Sequence, residues 1–313
     1  MPETQQILPS SEPALLSPKP SAAPAPQPST LNPQTSDWTL IIRPKTGWFD
    51  LHLAQIWRYR DLIMMYVRRD FVSKYEQTIL GPLWFIIQPI LTTVTFTVIF
   101  GNVARLSTDG LPKVLFYLSG VTAWTYFSEC MMLTSNTFVT HSHTFSKVYF
   151  PRLVVPLSFV ISNLLRFGIQ LGIFLAFYAY FLAKGTPVHP TWALLLLPYL
   201  VLLMAALALG GGIIVSALTT RYRDLRNLIQ FGMQLLMYTT PVIIPFSKLP
   251  PKYQWIMLSN PMTPVIETFR YAFLGTGSFR WGYLALSTVV SGLILFLGIV
   301  LFSHVEKQAS DTV

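Results

Sequence analysis

Paired carboxylates, a serine or cysteine beside a base, a histidine cluster or a glycine-rich phosphate loop would each announce chemistry, and the 313-residue chain offers few of them. His141 and His143 stand two apart, but no third ligand or carboxylate is near in sequence, so they read as solvated loop histidines and no metal site is expected. No G-x-x-x-x-G-K-[ST] motif occurs, and the run Gly210, Gly211, Gly212 sits inside an apolar stretch, so no phosphate-cradling loop is expected. Glu129 and Arg166 are the clear charges inside apolar segments. Because charge in hydrocarbon is costly, they are expected to pair or to face a polar interior. Arg221, Tyr222, Arg223 and Asp224 form a second cluster, whose guanidinium groups suit phosphate and whose Asp224 is placed to fix the loop through an internal ion pair. The plainer reading of those arginines is positive-inside anchoring. Catalytic residues: none are assigned.

The elements that position these residues are membrane helices. Hydrophobic residues make up 52% of the chain, charged residues only 11%, and mean hydropathy is +0.50, far more apolar surface than one water-soluble core of this length needs. About six apolar segments follow one another, near 82–100, 114–135, 153–182, 192–218, 228–246 and 282–303. Pro198 and the glycine run mark points of bending or close helix approach in the fourth. The net charge of +9 does not imply nucleic acid, because the basic residues are scattered between apolar runs and form no continuous stripe. The lone Cys130 allows no intrachain disulfide.

Residues 1–36, dominated by Pro, Ser, Ala and Gln, are expected to be a disordered tail; prolines interrupt each short apolar stretch, so no secretory signal is read there. Residues 37–81 form a cytoplasmic interface segment. Leu53, Ile56, Trp57, Ile63 and Tyr66 alternate there with Arg58, Arg60, Arg68 and Arg69, a pattern for amphipathic helices at a membrane surface or against a soluble partner. Residues 82–305 carry the spans and 306–313 a cytoplasmic tail. Lys and Arg gather before the first span, after the second and after the fourth, which places both termini inside. The long loop at 247–281 is rich in Trp255, Ile256, Val265, Ile266 and Phe269 and is expected to fold as two short helices dipping into the outer interface, parted near Asn260 and Pro261. The fold class is thus an all-α integral membrane protein.

The order of short motifs points further. Arg69-Asp70-Phe71, Lys74-Tyr75, Thr78-Ile79-Leu80-Gly81-Pro82-Leu83-Trp84, Gln88-Pro89 and Phe100-Gly101 come first. Then follow Tyr117, Gly120, Trp124 and Phe127, next Phe150-Pro151-Arg152 with Pro156, next Arg221-Tyr222-Arg223-Asp224-Leu225, and last Pro241, Pro245, Asn260-Pro261 and Arg270. Over about residues 50–305 this order resembles the polysaccharide and polyol-phosphate branch of the type-two ATP-binding-cassette exporter permeases. The Pro-rich extension before it departs from the family pattern.

The resemblance implies a homodimeric permease working with two copies of a separate nucleotide-binding ATPase subunit, which holds ATP and Mg, while this chain binds no cofactor. The cargo it implies is a lipid-linked polysaccharide of O-antigen, capsular or teichoic-acid type, moved out across a bacterial plasma membrane. It also implies that the loop between the second and third spans docks on the ATPase, with Phe145, Lys147 and Tyr149 as contact residues. A glycan conduit needs flat apolar faces with polar tips, and Trp84, Phe85, Trp124, Tyr126, Phe127 and Tyr238 are the candidates for its lining. Arg60, Arg68, Arg69, Arg221 and Arg223 are the candidates for contact with lipid headgroups or a substrate diphosphate. The alternatives are a drug or small-lipid exporter of the same superfamily, a membrane transferase, for which no acid or histidine pair stands out, and a noncatalytic scaffold.

Overall fold

Buried in lipid or protein, a backbone must satisfy its own polar groups, and the apolar stretches of this chain do so as helices. The structure is a computed structural model that describes residues 53–75, 81–147, 150–222 and 224–310. Two helices come first, α1 (Leu53–Arg58) and α2 (Arg60–Tyr75). Next are α3 (Trp84–Phe96), which widens into π turns over Thr97–Val103, and α4 (Lys113–Ser135). The short α5 (Thr137–Thr140) and α6 (Ser142–Lys147) lead to α7 (Val154–Ala183). After a tight turn at Trp192–Leu196 come α8 (Leu197–Arg221) and α9 (Leu225–Tyr238). The chain closes with α10 (Pro251–Leu258), α11 (Met262–Leu274) and α12 (Trp281–Ser310). Among the described residues no strand occurs. The expected tail over residues 1–36 lies outside the described residues.

Among the described residues, four segments are long and apolar enough to cross a membrane: Trp84–Val103, Val154–Ala183, Trp192–Thr219 and Trp281–Ser303. The expected second span is α4, which has the length but is richer in polar residues because it is the centre of the bundle. It packs against α3, α7, α8, α9 and α11, and every residue from Leu115 to Trp124 is buried. Two of its buried hydroxyls turn back on its own carbonyls, Ser119 to Phe116 and Thr122 to Leu118, both at 2.8 Å, so they cost little in an apolar core. The expected fifth span, 228–246, ends early as a helix. α9 has 14 residues, about 21 Å at ~1.5 Å per residue. Thr239 and Thr240 turn their hydroxyls onto the carbonyls of Leu236 and Met237, and neither Pro241 nor Pro245 can donate a helical hydrogen bond.

The glycine run proves to be a close approach in an unbroken helix. A Cβ on Gly210 would lie 2.5 Å from Leu295 Cα, and one on Gly298 would lie 2.6 Å from the Gly210 carbonyl oxygen, so α8 and α12 touch backbone to backbone. Gly212 does the same toward α4, where its Cβ would fall 2.5 Å from Thr134. Tyr199 and Thr288 add a hydroxyl-to-hydroxyl bond between α8 and α12.

The loop at 247–281 folds as the two short helices expected of it, α10 and α11, parted at Asn260 and Pro261. Asn260 accepts the Met262 N–H at 3.0 Å, an Asx turn that leads the chain into the second helix. α11 is buried along almost its whole length. Gly275, with φ of 73°, ends it in the left-handed conformation that glycine adopts without penalty.

Candidate functional site

Helical spacing gathers the polar side chains of three helices into one cleft. Trp84, Phe85 and Gln88 come from the first turns of α3. Tyr126 and Glu129 stand three apart on one face of α4, and Asn163, Arg166 and Gln170 recur at three- and four-residue steps on α7. They line a half-open cavity of about 220 Å³. Arg166 donates to Glu129 at 2.9 Å, and its guanidinium carbon lies 4.6 Å from the centre of the Phe85 ring. The pair was expected to meet or to face a polar interior, and it does both. Asn163 is held in place by donating to the Phe159 carbonyl at 3.0 Å. Buried Gln170 Oε1 makes no hydrogen bond among the described residues. What this arrangement can do chemically is receive hydroxyl groups beside a flat apolar surface, with no nucleophile poised for reaction.

Of the aromatic candidates, Trp84, Phe85 and Tyr126 meet at this cavity. Trp124 and Phe127 do not: they are buried in the core, with ring centres 5.4 Å apart. Tyr238, half exposed at the end of α9, is also not among the lining residues. Gln88 was marked only within the Gln88-Pro89 motif, and sequence reasoning did not single out Asn163 or Gln170, which join Arg166 on a face of α7 that only the periodicity could have marked.

A second cluster joins the surface helices to the bundle. α2 buries Ile63, Tyr66 and Val67 against Phe150, just before α7, and Val154, Val155 and Phe159 in its first turns, with Phe145 of α6 packed beside them. Phe145 lies 5.7 Å from the Phe150 ring and 5.6 Å beneath the Arg152 guanidinium. Lys147 is exposed, and Tyr149 lies outside the described residues. His141 sits among Tyr66, Phe145 and Phe159, and its Nε2 makes no hydrogen bond among the described residues. Burial first, and then the charge of Arg69, holds its imidazole below its usual pKa, so it is neutral. Among the described residues no three His, Cys, Asp or Glu side chains gather as a metal site.

The cationic candidates on α2 face outward. Arg60 is exposed and 3.8 Å from Asp61, Arg68 is exposed, and Arg69 stacks on Tyr66 at 4.5 Å. On the same helix Met64 and Met65 are exposed, as is Trp57 on α1, at 72%. The Arg221 side chain and all of Arg223 lie outside the described residues.

The third feature is a buried ion pair to set beside Glu129 and Arg166. Arg270 and Glu267, both on α11 and only 2% and 3% exposed, pair at 3.1 Å. Arg270 also donates to the Pro241 carbonyl at 2.8 Å and lies 3.8 Å over the Phe116 ring. The second oxygen of Glu267 accepts the Ser278 N–H at 2.9 Å. One ion pair thus joins α11 to α4, to the turn after α9 and to the loop before α12. Its three-residue spacing was visible in the sequence.

A model of the family described as "ABC-2 type transporter" matches residues 61–274. An O-antigen export system permease protein RfbA from Klebsiella pneumoniae is 26% identical over 251 residues, 80% of this chain and 94% of that protein. RfbA from Myxococcus xanthus is 27% identical over 223 residues, 71% of this chain and 83% of its own length. The polysialic acid transport protein KpsM from Escherichia coli is 22% identical over 254 residues, 76% of this chain and 91% of that protein.

Proposed function

The chain belongs to the ABC-2 type transporter family, and on that premise we propose that it is the permease subunit of an ATP-driven exporter moving a lipid-linked polysaccharide out across a bacterial inner membrane. The observation that carries this reading is a polar cavity with aromatic walls set among apolar helices: Trp84 and Phe85 beside the Arg166–Glu129 pair. Such a surface accepts a molecule that is flat and apolar on one side and covered with hydroxyls at its edge. The relatives named as O-antigen and polysialic acid transporters support the same cargo class.

Two copies of the permease would form the passage, with about six spans in each and both termini inside. Two copies of a separate ATPase subunit would hold ATP and Mg, and this chain would bind neither. The loop of α5 and α6 is the docking element. Its Phe145 packs in the same apolar cluster as Tyr66 of α2 and Phe150 before α7, so a push on the loop reaches both helices. The exposed Arg60 and Arg68 face anionic headgroups beside Trp57, Met64 and Met65.

The test is deletion of the gene, followed by fractionation of lipid-linked polysaccharide with and without the restored permease. Glycan trapped in the cytoplasmic leaflet and lost from the surface is the expected result. Normal surface glycan would overturn the reading and bring forward a drug or small-lipid exporter.

A further inference from the structure

We propose that the cavity between α3, α4 and α7 binds a single sugar ring of the cargo, so that this permease recognises its glycan inside the membrane as well as conducting it; the proposal rests on the export reading. Its size is the first argument. About 220 Å³ admits one pyranose with its hydroxyls and excludes a folded chain.

Its chemistry is the second. Gln170 is 5% exposed and lines the cavity, and its amide oxygen has no hydrogen-bond partner among the described residues. A buried acceptor of that kind is costly unless a ligand donates to it. An apolar guest would leave it unpaired. A phosphate carries no proton to donate when fully ionised, and it would meet the Glu129 carboxylate, while Arg166 already spends one nitrogen on that carboxylate. A sugar answers each group: its hydroxyls donate to Gln170 and Glu129 and accept from Gln88 and the remaining nitrogens of Arg166. Its ring face needs a flat apolar partner. Phe85 is covered on one side by Arg166, whereas Trp84 is 47% exposed and free to stack.

The experiment uses the full chain in lipid nanodiscs and saturation-transfer NMR with methyl α-mannopyranoside, methyl β-galactopyranoside and N-acetylglucosamine. Pyrophosphate, followed by phosphorus line width, is the anionic comparison. We expect saturation transfer to at least one sugar, reduced at least tenfold in Gln170→Leu and in Trp84→Ala and unchanged in Trp255→Ala on α10. Trp84 is exposed enough that its replacement leaves the fold intact, so the result stands even if Gln170→Leu fails to assemble. No transfer to any of the sugars, transfer indifferent to both substitutions, or broadening of pyrophosphate alone would overturn the proposal. A gene deletion that traps glycan inside, combined with no sugar signal, would remove this site and leave the export reading. Normal surface glycan in the deletion would remove the export reading itself.

Discussion

Ser162 Oγ donates to Asp70 Oδ2 at 2.8 Å, across 92 residues of sequence, and the next residue, Asn163, lines the cavity. The surface helix α2 is therefore fastened to α7 at the level where the ion pair of Arg166 and Glu129 sits. Motion of α2 relative to α7 at this point breaks the bond.

Ser162→Ala removes the donor and little else. A hydrogen bond to a charged partner contributes about 1.5–3 kcal/mol, roughly a tenfold to hundredfold change in the opening equilibrium. Hydrogen exchange of the α2 amides between residues 60 and 73 is expected to accelerate by that factor, with the amides of α12 unchanged. Equal protection in the variant and the parent would show that the apolar contacts of Tyr66 and Val67 alone hold α2.

The Glu267–Arg270 pair predicts a sharp asymmetry between single and double substitutions. Glu267→Gln or Arg270→Met alone leaves one buried charge without its counterpart, at a cost of about 3–5 kcal/mol. The double variant removes both charges and is expected to recover much of that loss. Thermal unfolding in detergent measures it. Additive losses would mean that the contacts of Arg270 with Pro241 and Phe116 outweigh the pairing.

Much of this architecture was legible in the sequence, and what was not has a physical reason. Apolar length and proline placement mark the helices, and Asn260 and Pro261 divide the outer loop where α10 gives way to α11. The early end of α9 was written in Thr239, Thr240 and Pro241, but an apolar run longer than its helix conceals it. At the cavity, helical geometry separates true lining from core. Tyr126 and Glu129 are three apart and share a face, while Trp124 is two residues from Tyr126, about 200° around the helix, and points into the bundle. Residue type alone made both look suitable. Gln170 and Asn163 carry neutral amides that no composition argument distinguishes from any other helix residue, and only their shared face with Arg166 gives them a role.

The glycines supply an internal comparison. A methyl on Gly210 would overlap the backbone of α12 at 2.5 Å, while one on Gly172 of α7 meets nothing within 4 Å. Gly210→Ala is expected to destabilise by about 1–3 kcal/mol through overpacking, and Gly172→Ala to stabilise by about 0.5–1 kcal/mol through helix propensity. A melting temperature of Gly210→Ala that stays level or rises would contradict the packing of α8 against α12.

His141 makes the stability of the α2 junction depend on pH with a definite sign. Its imidazole is held neutral by burial and by Arg69, so its folded pKa lies below the unfolded value of about 6.5. Above that value both states are neutral and the contribution of this group is constant. As pH falls below it, the unfolded chain takes up a proton that the folded chain resists, and stability is lost until the folded pKa is passed. The protein should therefore melt at progressively lower temperature as pH falls below about 6.5, and His141→Phe, which keeps an aromatic ring among Tyr66, Phe145 and Phe159, should flatten that part of the curve. A slope that survives the substitution would assign the effect to other groups and leave His141 as packing alone.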